Sequence, residues 1–258
     1  MSGVNRILVL AHNTYREAVR EKLLYNLLAF AALMIASSIM LAKIHLGYDE
    51  RIYYDVGLAA IALFGVLIAI FVGINLVYRE LAQKTVYTML AKPVHRWEFV
   101  TGKYLGLVFL LALEIALMSG LFLTVVWYKD TAFPIQLLYA IGLIFMELVL
   151  ITAVALFFSS FTTPYLAAMC TVGLWMIGHL LGDIRHFGNL PDAAHLKPFT
   201  EALYWGLPNL DRLDIKGPAA AGEVIEIGTV LLRALYALLY SGLLLCGAVV
   251  LFQRRDFR

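Results

Sequence analysis

Charged residues are scarce in this sequence. Asp, Glu, Lys and Arg together make up 15% of its 258 residues, whereas a soluble protein has about 25%. Hydrophobic residues make up 62%, and the mean hydropathy is +0.83. This composition excludes an ordinary soluble domain and predicts an all-α, polytopic membrane protein in contact with lipid. The net charge of +2 does not indicate a nucleic-acid partner, because in such a chain the distribution of charge between loops matters more than the sum.

Motifs for nucleotide or metal binding are also lacking. The only Gly-Lys pair, Gly102–Lys103, is followed by Tyr104, where a phosphate-binding loop needs Ser or Thr. We therefore expect that the chain is not an enzyme and binds neither ATP nor another cofactor itself. HExxH and CxxC spacings are absent and the six histidines are scattered, so no catalytic residue and no metal ligand is predicted.

Cysteine is limited to two residues, Cys170 and Cys246. Both lie within apolar runs, where free cysteine behaves as a small hydrophobe, so they do not indicate a redox compartment. The first apolar run is too long for the core of a signal peptide, and we predict that it is a retained helix.

Six apolar runs are long enough to cross a bilayer as helices. They cover residues 23–46, 56–78, 104–128, 134–158, 165–181 and 227–252. Residues 1–22 combine apolar side chains with basic ones, which predicts an amphipathic helix lying in the membrane interface. The alternative is an extension of the first spanning helix into the cytosol.

Basic residues are concentrated on one side of the predicted spans. The N-terminal segment, residues 79–103 and the C-terminus together carry twelve basic and five acidic residues, and the segments on the opposite side carry eight and eleven. Since Lys and Arg mark cytoplasmic loops, both termini and residues 79–103 are predicted to be cytoplasmic. Residues 1–258 form a single permease-like domain in this interpretation.

The longest predicted extracytoplasmic segment covers residues 182–222. Four prolines cut it into pieces too short for a domain with its own core, yet it is too apolar for a disordered linker. We predict short helices over the outer ends of the spans, one of them at about 198–206, with Tyr and Trp as interfacial anchors. Arg233 is predicted to extend towards the headgroups.

Residues 79–103 form the densest basic stretch in the chain. Pro93 ends the helix before it, because proline donates no amide hydrogen and disfavours α geometry at Lys92. A short helix over about 86–91, followed by a new helix from about Trp97, would lie across the membrane surface. This shape suits the docking of a soluble partner.

The order of residues in this stretch resembles the cytoplasmic loop of type-2 ABC exporter permeases. The residues that carry the resemblance are Glu80, Lys84, Thr85, Leu90, Pro93, Val94, Arg96, Glu98, Gly102 and Lys103. The segments ALFFSSFTTPYLAA and GLPNLDRLD are also similar, and the whole chain resembles the permease subgroup associated with multicopper-enzyme maturation and gliding motility. The sequence departs from the family at Gln83–Lys84, where a glycine more often precedes the threonine.

This resemblance implies the membrane subunit of an ATP-driven exporter in the inner membrane of a prokaryote. The permease would pair with a second copy, as a homodimer, and with two cytoplasmic ATPase subunits that bind ATP and Mg; an extracytoplasmic partner protein is compatible with it. Residues 79–103 would be the coupling helix. Its coupling residues would be Glu80, Lys84, Thr85, Leu90, Pro93, Arg96 and Glu98. The alternative for Glu80, Arg96 and Glu98 is that they solvate the loop and pair with one another, at about 0–1 kcal/mol.

Two acidic residues, Glu114 and Glu147, lie within predicted spans. A carboxylate at the bilayer centre costs about 2.5–3.5 kcal/mol, so both are expected to face protein or water. One interpretation places them on a polar translocation path. The alternative is a hydrogen bond to a neighbouring helix, for which Ser119, Thr124 and Thr152 are available.

Two other functions remain as alternatives. The first is a proton-coupled secondary transporter that uses Glu114 and Glu147, although no internal inverted repeat is visible. The second is a non-transporting membrane scaffold that holds an assembly factor through residues 182–222. The spacings Gly102-xxx-Gly106 and Gly178-xxx-Gly182 allow close helix contact, but such spacings are common in membrane chains.

Overall fold

The computed structural model describes residues 3–20, 25, 28–29, 31–36, 49–82, 96–129, 134–190 and 195–254, and it contains no β-strand within these ranges. The helices are α1 (Gly3–Val19), α2 (Asp49–Ala82), α3 (Arg96–Lys129), α4 (Ile135–Ser159), α5 (Pro164–Gly188), α6 (Lys197–Gly206), α7 (Lys216–Ala220) and α8 (Ile227–Arg254), with a 3₁₀ turn at Asp211–Leu213. The all-helical prediction is thus confirmed for the described part of the chain.

Within the described residues, five helices are long and apolar enough to cross a membrane. Their apolar segments are Tyr53–Asn75, Trp97–Tyr128, Ile135–Ser159, Pro164–Gly188 and Ile227–Leu251. They correspond to the predicted second to sixth spans. The predicted first span, residues 23–46, lies largely outside the described residues, although residues 31–36 within it are helical.

Several helices continue beyond the spans predicted from hydropathy. α2 and α3 each contain 34 residues, and α5 continues through residues 182–188, which were assigned to the extracytoplasmic segment. The physical reason is that hydropathy locates only the part of a helix inside hydrocarbon, whereas backbone hydrogen bonding continues through polar flanking residues. α5 begins at Pro164, in the first-turn position predicted for this proline.

The centre of the bundle is formed by α2 and α4. In the most apolar stretch of α2 and of α4, 72% of the residues are buried. The corresponding fraction is 22% in α5 and 17% in α8. α4 packs against α2, α3, α5 and α8, which explains its near-continuous burial. α5 and α8 therefore present most of their apolar surface outward.

The segment between α5 and α8 is bound to the adjoining ends of both helices. The predicted helix near 198–206 is α6, which confirms that prediction. The backbone N–H of Asn209 donates to the hydroxyl of Tyr236 at 2.8 Å, and the hydroxyl of Tyr240 donates to the carbonyl of Gly206 at 3.1 Å. These bonds fix the GLPNLDRLD segment against α8.

Gly178 allows the same segment to approach α5 closely. The N–H of Leu210 donates to the Gly178 carbonyl at 3.0 Å. A Cβ at Gly178 would lie 2.8 Å from Leu210 Cγ and 3.0 Å from the carbonyl oxygen of Pro208. The Gly178-xxx-Gly182 spacing thus serves contact with the GLPNLDRLD segment.

We expect Gly178→Ala to lower the melting temperature of the purified protein. The added methyl would force the segment containing Leu210 outward, at a cost of about 1–3 kcal/mol. Gly173→Ala is the matched control, because a Cβ at Gly173 in the same helix meets nothing within 4 Å. Equal melting temperatures for the two variants would contradict this account of the contact.

Candidate coupling and translocation sites

The connection predicted to couple the chain to an ATPase is partly described. α2 ends at Ala82 and α3 begins at Arg96, as expected for a new helix from about Trp97. Four predicted coupling residues lie outside the described residues: Lys84, Thr85, Leu90 and Pro93. Glu80 and Arg96 belong to described helices, but only their backbone is covered.

Glu98 is the predicted coupling residue whose side chain the structure places. It lies in the first turn of α3 and is only 2% exposed. Its Oε2 lies 3.6 Å from Nη1 of Arg6, in α1. A Cβ on Gly3 would come within 3.0 Å of its Oε1. Glu98 therefore connects the start of α3 to the start of α1, so its carboxylate is not a surface group ready to contact a soluble partner.

The contact between α1 and α3 continues along both helices through two glycines. A Cβ at Gly102 would lie 2.6 Å from Leu10 Cβ, and one at Gly106 would lie 2.6 Å from the carbonyl oxygen of Ala11. Thr14 also packs against Gly106, and its hydroxyl donates to the carbonyl of Leu10 at 2.9 Å. The Gly102-xxx-Gly106 spacing, noted in the sequence, is thus the docking surface for α1.

The role of α1 is the main feature that sequence reasoning missed. The basic and apolar pattern of residues 1–22 predicted contact with lipid, and that prediction is not tested by the contacts of α1. The charge distribution predicts only that Arg6 is cytoplasmic, and it does not predict the contact of Arg6 with Glu98. The glycine spacing in α3 signalled close packing, but nothing in the sequence named the helix that packs there.

A cleft of about 590 Å³ lies between α1 and α3 beyond this contact. Its lining is mainly apolar and is formed by Leu8, Ala11, His12, Tyr15, Phe109, Ala112 and Leu113. Leu8 and Phe109 are 58% and 69% exposed, so the cleft opens towards the outside of the bundle.

Glu147 lies in α4 and is 2% exposed. Its Oε1 accepts a hydrogen bond from Nε1 of Trp175 at 2.9 Å and lies 3.4 Å from Nε2 of His179. Both partners belong to α5. The interpretation that Glu147 bonds a neighbouring helix is therefore confirmed, but its partners differ from the proposed Ser119 and Thr124 of α3, whose hydroxyls donate to Ile115 and Gly120 of their own helix.

The geometry of His179 restricts where protons lie in this cluster. Its Nδ1 is 3.1 Å from the carbonyl oxygen of Trp175, and since a carbonyl only accepts, Nδ1 carries the hydrogen. The other ring nitrogen, Nε2, then faces the Glu147 carboxyl group at 3.4 Å.

Glu114 lies in α3 and is 1% exposed. Neither of its carboxyl oxygens has a hydrogen-bond partner in the part of the chain that the structure describes. The predicted partner on the neighbouring helix, Thr152, donates instead to Leu148 of its own helix, so no hydrogen bond from Glu114 to a neighbouring helix is found among the described residues. No hydrogen bond joins Glu114 to Glu147 among the described side chains.

Comparison with protein families gives one match that covers nearly the whole chain. The family model described as ABC-2 family transporter protein matches residues 8–257. The chain belongs to this ABC-2 family. A search of curated proteins found no match.

Membership of the ABC-2 family confirms the resemblance at the level of a type-2 ABC permease. The chain is accordingly a multi-pass membrane component of a transporter, and it works with ABC ATPase subunits. In such a permease, the start of α3 and the acids in α3 and α4 are separate candidate sites. The first is tied to α1, and the second is enclosed within the bundle.

We expect Glu147→Gln and Glu147→Leu to differ in stability. The glutamine oxygen still accepts from Trp175, whereas leucine leaves the indole N–H of this half-buried tryptophan unpaired, at a cost of about 1–3 kcal/mol. The measurement is the melting temperature of each variant in the same detergent, with Trp175→Phe combined with Glu147→Leu as the control that removes both partners. A Gln variant as unstable as the Leu variant would contradict the assigned hydrogen bond.

Proposed function

We propose that this chain is the permease of an ATP-driven exporter, acting as a homodimer with two cytoplasmic ATPase subunits in the inner membrane of a prokaryote. Membership of the ABC-2 family over residues 8–257 carries this proposal. The topology is six spans with both termini and residues 79–103 in the cytoplasm, and the subgroup is that of multicopper-enzyme maturation and gliding motility. ATP and Mg are bound by the partner subunits, and the permease has no enzymatic activity of its own.

α2 and α3, the helices on each side of residues 83–95, are long enough to carry a displacement of those residues into the membrane. A helix of 34 residues, such as α2 or α3, is about 51 Å long, whereas the hydrocarbon core of a bilayer is about 30 Å thick. Each helix therefore extends well beyond the hydrocarbon. Closure of the ATPases would displace residues 83–95, and two continuous helices would carry that displacement into the membrane.

The contact of α1 with α3 extends this mechanism. Because Glu98 pairs with Arg6 and the two glycines hold the helices close, a displacement of the start of α3 carries α1 with it. Glu98 acts as a positioning residue in this account, since it joins two permease helices. The residues that contact the ATPase directly would be the other predicted coupling residues: Glu80, Lys84, Thr85, Leu90, Pro93 and Arg96.

The intramembrane acids have a structural role in this proposal. Glu114 and Glu147 are buried within one protomer, whereas an exporter of this kind would open a path between two copies. Outward apolar surface is concentrated on α5 and α8, which are available to lipid or to a second copy. Glu147→Gln is therefore expected to retain ATP-driven transport.

The Glu147–His179 pair supports a second candidate function, a proton-coupled secondary transporter. A carboxyl group that faces an imidazole within the bundle is suited to proton transfer. This candidate differs from the exporter in its energy source. It requires transport driven by a pH gradient without ATP, and loss of that transport in Glu147→Gln.

Purification from the native host in mild detergent tests the main proposal. A subunit with a nucleotide-binding motif should co-purify with the tagged chain, and the complex should hydrolyse ATP. The variant Arg96→Glu with Glu98→Arg should lose the partner or its stimulated hydrolysis. Recovery of the chain without an ATPase, together with pH-driven transport, would replace the exporter by the second candidate.

We expect Arg6→Gln to uncouple hydrolysis from transport. The substitution removes the cation that faces the buried Glu98 carboxylate, which weakens the link between α1 and α3 by about 1–3 kcal/mol. Transport by reconstituted complexes should fall severalfold per ATP hydrolysed. Arg16→Gln is the matched control, because Arg16 lies on the exposed side of the same helix.

Unchanged coupling in Arg6→Gln would contradict the assigned role of α1. A fall of the same size in Arg16→Gln would also contradict it, because that result would reflect a general loss of positive charge near the membrane.

A further inference from the structure

Two arginines meet one tyrosine at the end of α5 that lies next to α6. The guanidinium carbon of Arg185, in the last turn of α5, lies 4.3 Å from the ring centroid of Tyr204, in α6. The guanidinium of Arg212, in the 3₁₀ turn, lies 5.6 Å from the same ring. Its Nη2 donates a hydrogen bond to the Tyr204 hydroxyl at 3.0 Å. The chain thus brings two cations together from separate elements, with an aromatic ring between them.

Within the described ranges, neither Arg185 nor Arg212 forms an ion pair with a carboxylate. Nε of Arg185 is buried and has no hydrogen-bond partner in the same part of the chain. The hydrogen bond from Arg212 lowers the pKa of the Tyr204 hydroxyl.

Exposed aromatic side chains lie on α6, the helix whose Tyr204 contacts both arginines. Trp205 also contacts Arg185, at 5.8 Å from the guanidinium carbon to the ring centroid, and is 69% exposed. Phe199, on the same short helix, is 64% exposed. α6 adjoins the end of α5, a helix apolar enough to span the membrane. Two guanidinium groups and large apolar side chains therefore occur together where that helix ends.

We propose that Arg185 and Arg212 form a site for the phosphate of an anionic phospholipid, with Trp205 and Phe199 in contact with its glycerol and upper acyl region. Guanidinium groups match phosphate oxygens in geometry and charge, and an arginine stacked on a ring is already oriented for such a contact. Aromatic side chains at a helix end occupy the headgroup layer. In the predicted topology this site lies in the outer leaflet, where the lipid would hold α6 against α5.

A phospholipid fits these observations better than a soluble anion does. A soluble phosphate would use the two guanidinium groups but would leave Phe199 and Trp205 in water. An amphiphile uses both features, since burial of apolar surface adds to the charge-assisted hydrogen bonds. The occupant is therefore defined by a phosphate with net negative charge next to an acyl chain.

Native mass spectrometry of the purified, delipidated protein tests the site. Dioleoyl phosphatidylglycerol and dioleoyl phosphatidylcholine would be titrated separately, because the two share acyl chains and differ in net charge. Glycerol 1-phosphate, which has the anionic group without the chains, is the third probe. We expect phosphatidylglycerol to bind about tenfold more tightly than phosphatidylcholine, as expected for added contacts to charged groups, and glycerol 1-phosphate to bind far more weakly.

The double variant Arg185→Gln, Arg212→Gln should lose the preference for phosphatidylglycerol. Lys197→Gln removes an exposed positive charge of α6 outside the cluster; it should keep the preference and controls for overall charge. The single variant Arg212→Gln tests the site if the double variant does not fold, because Arg212 is exposed. This single variant should lose most of the preference for phosphatidylglycerol without a change in melting temperature.

Three results would overturn the proposal. The first is an undiminished preference for phosphatidylglycerol in the arginine variants. The second is binding of glycerol 1-phosphate as tight as that of phosphatidylglycerol, which would identify a site for a soluble anion. The third is loss of a co-purifying protein from the variants with lipid binding unchanged, which would identify a protein-docking surface.

Discussion

The ion pair between Glu98 and Arg6 sets the arrangement of the helices at the end of the molecule where α2 ends and α3 begins. It joins the first turn of α3 to the first turns of α1, and Gly102 and Gly106 keep the two helices in contact beyond it. A carboxylate that is 2% exposed requires a charged or hydrogen-bonded neighbour, because burial of an unpaired charge is costly. That requirement explains why α1 lies along α3, and it makes α1 part of the element that would respond to an ATPase.

The same requirement acts differently on the two intramembrane acids. Glu147 is satisfied by Trp175 and His179 across the α4–α5 contact, and it therefore helps to fix α5 on the central helix. Glu114 lacks a hydrogen-bond partner in the described part of the chain. Burial of a carboxyl group thus has two outcomes. Glu147 constrains the packing of α4 and α5, whereas the Glu114 carboxyl group has no hydrogen-bond partner among the described residues.

The sequence predicted the spans well, because apolar length and charge asymmetry are local properties. The second, fourth and sixth spans and α6 were predicted within three residues, whereas the third span begins and the fifth span ends seven residues beyond the predicted bound. The start of α3 near Trp97 was expected from Pro93. The partners of Glu98 and Glu147 could not be predicted, since they depend on which helices are neighbours. Arg6 and His179 are distant from these acids in the chain, and only the folded arrangement brings them into contact.

The most direct test of the central claim is whether α1 and α3 move as one body during the ATPase cycle. Spin labels would be placed at Asn13 and Leu117, one on each helix, and at Asn13 and Leu239 of α8, after Cys170 and Cys246 are replaced by alanine. Pulsed dipolar spectroscopy would compare the complex without nucleotide and after trapping with ATP and vanadate. The account predicts an unchanged Asn13–Leu117 distance and a shifted Asn13–Leu239 distance. A shift between Asn13 and Leu117 as large as that to Leu239 would contradict it.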